Sequence, residues 1–221
     1  MACQTPARFP KRKALRWLEI ALWVLAVAGL GIYASVYLER NLYQAYESWS
    51  FNRALRKEAA AVAPARSMDA PDAFAGLKPK APAPEKLAPG DLIGRIEIPE
   101  VGVSAMVVES TGADELRRAV GHIEGTALPG RNGNAAFAGH RDTFFRGLRN
   151  IKKDDRIEIV TLHGTYEYVV DSTEIVRPDD LAVLDPTNEP TLTLVTCYPF
   201  EYIGHAPKRF IVQAREAGKI K

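Results

Sequence analysis

Thr191-Leu-Thr-Leu-Val-Thr-Cys197-Tyr-Pro199 is an alternating run of apolar and β-branched residues that ends in a cysteine and, two residues later, a proline. Residues 191, 193 and 195 fall on one face and residues 192, 194 and 196 on the other, the period of two that is typical of a half-buried strand. Pro199 cannot donate a hydrogen bond to a neighbouring strand, so it predicts the end of this strand. The Cys197 thiol is therefore predicted to lie where a strand opens into a loop, a position that suits a nucleophile.

Similar short runs fill the chain from Asp91 almost to its end, a length of roughly 125 residues that suits one domain. Most are separated by Gly, Asn, Asp or Pro, and the predicted strands are Leu92–Ile98, Val103–Val108, Asn134–Ala138, Arg156–Thr161, Thr165–Val176, Thr191–Cys197 and Arg209–Gln213. Asp114–Val120 is predicted to form one short helix, and Asp142–Arg149 a helical turn. Many strands with little helix predict a mainly β fold, a closed or nearly closed barrel, because closure joins the sheet edges.

The N-terminal region predicts a membrane anchor. Residues 17–38 are apolar except for Glu19 and Ser35, and their number is close to the ~20 residues that span a bilayer. A cleaved signal peptide is the alternative, but the apolar run exceeds the ~7–15 residues of such a segment and lacks a clear small-x-small cleavage site. We therefore expect residues 17–38 to form a single-pass signal anchor.

Charge on either side of this segment predicts its orientation. Glu39 and Arg40 cancel after it, whereas five basic residues precede it: Arg8, Lys11, Arg12, Lys13 and Arg16. The positive-inside rule then places residues 1–16 in the cytoplasm as a basic tail and the rest of the chain outside.

Residues 39–90 are predicted to connect the anchor to the folded domain, residues 91–221. Up to Val62 the composition is helical and mixed, which predicts an amphipathic stalk whose aromatic side chains rest on the lipid headgroups. Residues 63–89 are rich in Pro and Ala. Such a segment cannot bury enough apolar surface to fold, so it is expected to be a semi-rigid spacer.

Composition excludes several other functions. A formal net charge of +2 does not indicate nucleic-acid binding. The two cysteines, Cys3 and Cys197, are expected on opposite sides of the membrane, so no disulfide is predicted and Cys197 is a free thiol. Because the chain has no paired-cysteine spacing and its histidines form no ligand motif, we predict neither a metal site nor a cofactor.

Cys197 needs an activating partner, because a free cysteine with a pKa near ~8.5 is only a few per cent thiolate at neutral pH. His140 is the best candidate among the four histidines, since the strand that begins at Asn134 runs through Gly139 into a loop at His140. Gly139 leaves room for close approach of another segment. The alternative interpretation is a histidine that only caps a loop.

Arg209 is the third candidate, at the start of the strand that follows Cys197 through a loop. Adjacent antiparallel strands would bring it back toward the cysteine. Its guanidinium could steady a thiolate or donate to an oxyanion, where one preorganised donor is typically worth ~3–4 kcal/mol. Lys208 is its rival, and a surface arginine is the plain alternative; the side chains of residues 208 and 209 alternate, and the sequence leaves open which of them faces the cysteine.

Taken in order, these residues resemble the sortases. The resemblance covers Asp91 to about Ala214 and is carried by Thr196-Cys197, Gly139-His140-Arg141-Asp142 and Arg209, together with the turn Gly121-His-Ile-Glu-Gly-Thr-Ala-Leu-Pro-Gly130 and Gly133-Asn134. It implies a sortase barrel of about eight strands. It also implies a cysteine transpeptidase that cleaves a C-terminal Leu-Pro-x-Thr sorting signal between Thr and Gly or Ala.

The resemblance assigns roles residue by residue. It implies that Cys197 forms a thioester, that His140 serves as acid and base, and that Arg209 stabilises the oxyanion. The implied partners are surface proteins that bear the sorting signal and an amine of the cell envelope, either a peptidoglycan precursor or a protein lysine. His122 is expected to be structural or to lie just outside the site, and His163 and His205 receive no catalytic role.

Class D sortases are the subclass most similar to this chain. Class C enzymes usually carry an Asp-Pro-aromatic lid, whereas the spacer has only Asp69-Ala-Pro-Asp-Ala-Phe74, and no apolar tail precedes Lys221. We therefore expect housekeeping attachment or a specialised substrate set rather than pilus polymerisation. Two other interpretations remain: an L,D-transpeptidase-like peptidoglycan acyltransferase, whose Ser-His-Gly-Cys string is absent, and a non-catalytic adhesion or scaffold domain with a buried Cys197.

Overall fold

The computed structural model describes residues 11–62, 87–202 and 204–220. The chain divides into two compact units, Met1–Leu42 and Tyr43–Lys221. Helix α1 (Lys11–Val62) contributes residues to both of them. The predicted spacer, apart from residues 87–89, lies outside the described residues.

The first unit is described from residue 11 and contains the apolar part of α1. Its large apolar side chains are exposed around the whole helix, including Trp17, Trp23 and Leu30. A helix that is apolar all round belongs in a large core or in a membrane. By length and composition, Leu15–Lys57 contains the one stretch within the described residues that could cross a bilayer.

The second unit is a mainly β barrel. Within the described residues, eight strands close in the order β1-β2-β3-β4-β7-β8-β6-β5. They are β1 (Leu92–Ile98), β2 (Val103–Glu109), β3 (Val120–His122), β4 (Gly133–Ala138), β5 (Arg156–Thr161), β6 (Gly164–Val176), β7 (Pro190–Tyr198) and β8 (Lys208–Ile220). The β2·β3 and β4·β7 pairs are parallel, and the remaining neighbours are antiparallel. The predicted closed barrel is confirmed.

Alternation along β7 fixes which of its residues face the core. Leu192 and Leu194 are fully buried in the barrel core. Leu194 pairs with Phe137 of β4 on one side and with Val212 of β8 on the other, and both of those residues also lie in the core. Odd-numbered residues of β7, Cys197 among them, therefore point to the outer face, because successive side chains alternate.

The structure differs from the predicted elements at helix α2 (Ala113–Arg118), at β8 and at the helical turn predicted over Asp142–Arg149, which is a short 3₁₀ helix at Arg146–Asn150. Helix α2 ends before Val120, and residues 120–122 form β3, which was predicted as helix end and turn. A strand of three residues is too short to show an alternating pattern. Strand β8 continues to Ile220, beyond the predicted end at Gln213, because it pairs along the full length of the long strand β6.

Residues of α1 that belong to the second unit pack against β1, β2 and the end of α2. Phe51 is only 2% exposed, and the Arg95 guanidinium lies 5.9 Å from its ring centroid. Gln44 accepts a hydrogen bond from the Met106 N–H at 2.9 Å and donates one to the Arg118 carbonyl at 2.7 Å. The expectation that the aromatics of this segment rest on headgroups is therefore wrong for Phe51, which the barrel buries.

Candidate active site

Hydrogen bonds join the end of β4 to β7 directly before His140 and Cys197. In the parallel register of β4 and β7, Ala138 lies beside Val195. At the residue after β4, the Gly139 N–H donates to the Val195 carbonyl at 3.1 Å, and the Thr196 hydroxyl donates to the Gly139 carbonyl at 2.7 Å. The predicted exits of both strands thus lie side by side.

Gly139 permits the loop after β4 to fold back onto the strand. A Cβ at this position would lie 2.8 Å from the ring of Phe145, which is fully buried. The next turn is closed by the Phe145 N–H, which donates to the His140 carbonyl at 3.0 Å. The group that approaches Gly139 closely is the Phe145 ring.

Strand β8 brings Arg209 to the other side of Cys197. The two residues are register partners, whereas Lys208 pairs with Tyr198. Since β7 lies between β4 and β8, Cys197 sits between the end of the histidine strand and Arg209. Alternation places Arg209, and not Lys208, on the outer face with the cysteine.

The three side chains line one cleft of about 220 Å³. Its walls are largely charged or polar, and its lining residues are His140, Arg141, Asp142, Cys197, Gly204, His205, Ala206 and Arg209. Cys197 is a free thiol and is half-buried, so a substrate can reach it. Among the described residues, no hydrogen bond joins this thiol to the His140 ring.

Asp142 and His205 are cleft residues to which the sequence assigned no function. His205 lies in the connection between β7 and β8, where no periodic pattern indicates the direction of a side chain. The sequence signal that could have identified His205 as a cleft residue is its position in the chain between Cys197 and Arg209.

His122 and His163 lie elsewhere. His122 is 3% exposed, its Nδ1 lies 2.7 Å from Glu109 Oε2, and its Nε2 lies 3.0 Å from the Ala127 carbonyl oxygen. These contacts join β2, β3 and the loop before β4. His163 lines a different cleft, of about 990 Å³, at the β5–β6 turn.

A thiol, an imidazole and a guanidinium in one cleft are suited to acyl transfer. The thiol supplies a nucleophile, the imidazole can move a proton, and the guanidinium can donate hydrogen bonds to an oxyanion. Each group comes from a different strand end, so the barrel sets their spacing.

Comparisons with known proteins identify the family of this chain. The Sortase domain model matches residues 96–217. Sortase D of Bacillus subtilis is 38% identical over 127 residues, which are 57% of this chain and 64% of that protein, so the match spans a little under two thirds of the relative. A sortase D transpeptidase of Clostridium perfringens superposes with a TM-score of 0.56 at 34% identity, covering 61% of this chain and 84% of that chain.

A second solved structure, sortase C of Clostridium perfringens, superposes with a TM-score of 0.55 at 28% identity, covering 64% of this chain and 78% of that chain. The family model covers more than half of the chain, and the barrel carries the cysteine, histidine and arginine at neighbouring strand ends. This chain belongs to the sortase family and is most like class D.

Proposed function

We propose that this protein is a membrane-anchored cysteine transpeptidase with Cys197 as its nucleophile. The observation that carries the proposal is the placement of His140, Cys197 and Arg209 in one cleft at the ends of β4, β7 and β8. Membership of the sortase family supports the same activity.

In the first half-reaction, His140 takes the proton of the Cys197 thiol, and the sulfur attacks the Thr carbonyl carbon in the Thr–Gly or Thr–Ala bond of a Leu-Pro-x-Thr sorting signal. Arg209 donates hydrogen bonds to the oxyanion that forms. His140 protonates the leaving amine, and the Thr carbonyl remains on sulfur as a thioester.

In the second half-reaction, an amine of the cell envelope attacks the thioester. His140 takes the proton from this amine, the new amide forms, and the Cys197 thiolate leaves. The proposed substrates are surface proteins with a C-terminal sorting signal, and the acceptor is a peptidoglycan precursor or a protein lysine. Similarity to class D favours housekeeping attachment or a specialised substrate set.

The apolar part of α1 supports a single-pass anchor, with residues 1–16 in the cytoplasm and the barrel outside. The large apolar side chains between Leu15 and Leu38 are exposed, which suits lipid better than water. The basic residues that precede this part of the helix support the orientation.

The test is to incubate the full chain, in detergent micelles, with Leu-Pro-x-Thr-Gly and Leu-Pro-x-Thr-Ala peptides and a set of amines, and to identify products by mass spectrometry. We expect a thioester on Cys197 and amide products. Cys197→Ala should abolish both without unfolding the barrel, while the matched variant Cys3→Ala keeps full activity. Turnover by Cys197→Ala would overturn the mechanism, and failure of every signal would favour the non-catalytic interpretation.

A further inference from the structure

We propose that Arg141, the residue after His140, is a positioning residue that holds the β7–β8 loop (residues 199–207) and, through it, the Arg209 guanidinium. The inference rests on the proposed function. Arg141 Nη1 donates to the Pro199 carbonyl at 3.1 Å, and Nη2 donates to the carbonyls of Tyr202 at 2.5 Å and Gly204 at 3.0 Å. Its guanidinium also lies 6.0 Å from the Tyr202 ring centroid.

These contacts depend on the shape of arginine. A guanidinium presents five N–H donors in a rigid planar fork, whereas a lysine ammonium is a compact point charge. The carbonyls of Pro199, Tyr202 and Gly204 span six residues of the loop, and the two terminal nitrogens of Arg141 reach all of them. A lysine at this position could not bridge the same set.

The far half of the same loop contacts Arg209. Arg209 Nη1 donates to the Ala206 carbonyl of the loop at 3.3 Å, and also to the carbonyl of Lys208, the first residue of β8, at 3.1 Å. Gly204 and Ala206, on either side of His205, line the cleft with Cys197. Arg141 therefore holds the first half of the loop, and the second half holds the group proposed to stabilise the oxyanion.

Arg141 also connects the two sides of the site along the chain. Its backbone follows His140 directly, and its side chain holds the loop that joins Cys197 to Arg209. Loss of the side chain should release the loop without unfolding the barrel, because the Tyr202 and Gly204 contacts are solvent-exposed and water can satisfy these carbonyls.

The test measures kcat and KM for a sorting-signal peptide with the full chain in detergent, per Cys197 thiol titrated. We expect Arg141→Ala to lower kcat about 100-fold, the loss typical of a misplaced catalytic group. KM should change little, because Arg209 acts on the transition state. Arg141→Lys should recover little of the loss.

A double-variant experiment separates positioning from an independent role. If Arg141 acts through Arg209, the variant that combines Arg141→Ala with Arg209→Ala is no slower than Arg209→Ala alone, because residues that act as a unit are not additive. Alkylation of Cys197 by iodoacetamide, which forms no oxyanion, should stay at the wild-type rate. The matched control is Arg149→Ala, which removes a 3.3 Å contact between the same loop's exposed Glu201 and Arg149; it should keep wild-type kcat.

Three results would overturn the inference: multiplicative losses in the double variant, an equal loss in Arg149→Ala, or wild-type kcat per titrated thiol in Arg141→Ala. In each case the wild type remains active, so the proposed function stands. If the wild type turns over no sorting-signal peptide, the proposed function fails and this inference fails with it.

Discussion

At the scale of single residues, strand alternation distinguishes Arg209 from its neighbour Lys208. Arg209 shares a face and a register position with Cys197, whereas Lys208 pairs with Tyr198 and is exposed. Only the arginine lines the cleft. The two residues therefore form a matched pair of variants.

We predict that Arg209→Ala lowers kcat for acyl transfer by about 10²- to 10³-fold, the usual cost of removing one oxyanion donor. Lys208→Ala should stay within about two-fold of wild type, because surface substitutions away from a site have small effects. Steady-state kinetics with a sorting-signal peptide measure both. Equal losses in the two variants would remove Arg209 from its proposed role.

Tyr168 makes the stability of the barrel depend on pH in the alkaline range. Burial raises the pKa of Tyr168 to about 12, from 10.0, although its hydroxyl oxygen accepts a hydrogen bond from the Gly130 N–H at 3.1 Å. Above pH 10 the unfolded chain loses this proton while the folded barrel keeps it. The contribution of Tyr168 to stability is therefore complete below pH 10 and declines as the pH rises toward 12.

We predict that Tyr168 accounts for about 2 kcal/mol of the decrease in unfolding free energy between pH 10 and pH 12. Tyr168→Phe should show a correspondingly smaller decrease, whatever its stability at neutral pH. Denaturant unfolding at a series of pH values measures the difference in slope. The same alkaline slope in both proteins would contradict the prediction.

At the scale of elements, the part of α1 that belongs to the second unit covers part of the outer face of β2. Met106 and Val108 point away from the barrel core on β2, yet both are almost fully buried. The Gln44 side chain accepts a hydrogen bond from the Met106 N–H. A truncated protein that begins at the first strand would therefore lose contacts that cover β2.

We predict that Phe51→Ala destabilises β1 and β2 by about 3–5 kcal/mol, the usual cost of emptying a buried Phe site. Tyr46→Ala is the control on the same helix, because Tyr46 is 64% exposed, and it should change stability by less than about 0.5 kcal/mol. Native-state hydrogen exchange of the strand amides, in detergent micelles, measures both. Equal protection in the two variants would show that the barrel does not depend on this helix.

Local sequence patterns predicted most of the strands but missed β3, and the difference has a physical reason. Seven predicted strands are present within the described residues, because alternation and turn residues are local signals. Strand β3 was missed because its three residues gain their strand conformation by pairing with Val107–Glu109 and with β4. Such a strand exists only through its neighbours.

At the scale of the whole molecule, the two cysteines are natural reporters of membrane topology. Cys3 precedes the apolar part of α1 and Cys197 follows it. We predict that a membrane-impermeant maleimide labels Cys197 in intact cells and labels Cys3 only after permeabilisation. Cys197→Ala should lose the label in intact cells. Labelling of Cys3 alone in intact cells would reverse the proposed orientation.

The sequence by itself determined the barrel class, most strand positions, the apolar helix and the three candidate residues. These follow from periodicity, turn residues and charge, which act between residues close together in the chain. The family membership that the resemblance implied is confirmed by the match over residues 96–217. The roles of Cys197, His140 and Arg209 remain predictions for the experiments above.

Only the tertiary structure decided that Arg209 rather than Lys208 faces the cysteine, that His205 and Asp142 line the cleft, and that Phe51 is buried by the barrel. It also decided that Arg141 reaches the loop between Cys197 and Arg209. Each of these contacts joins residues far apart in the chain. Strand register and packing create such contacts, and no local pattern in the sequence encodes them.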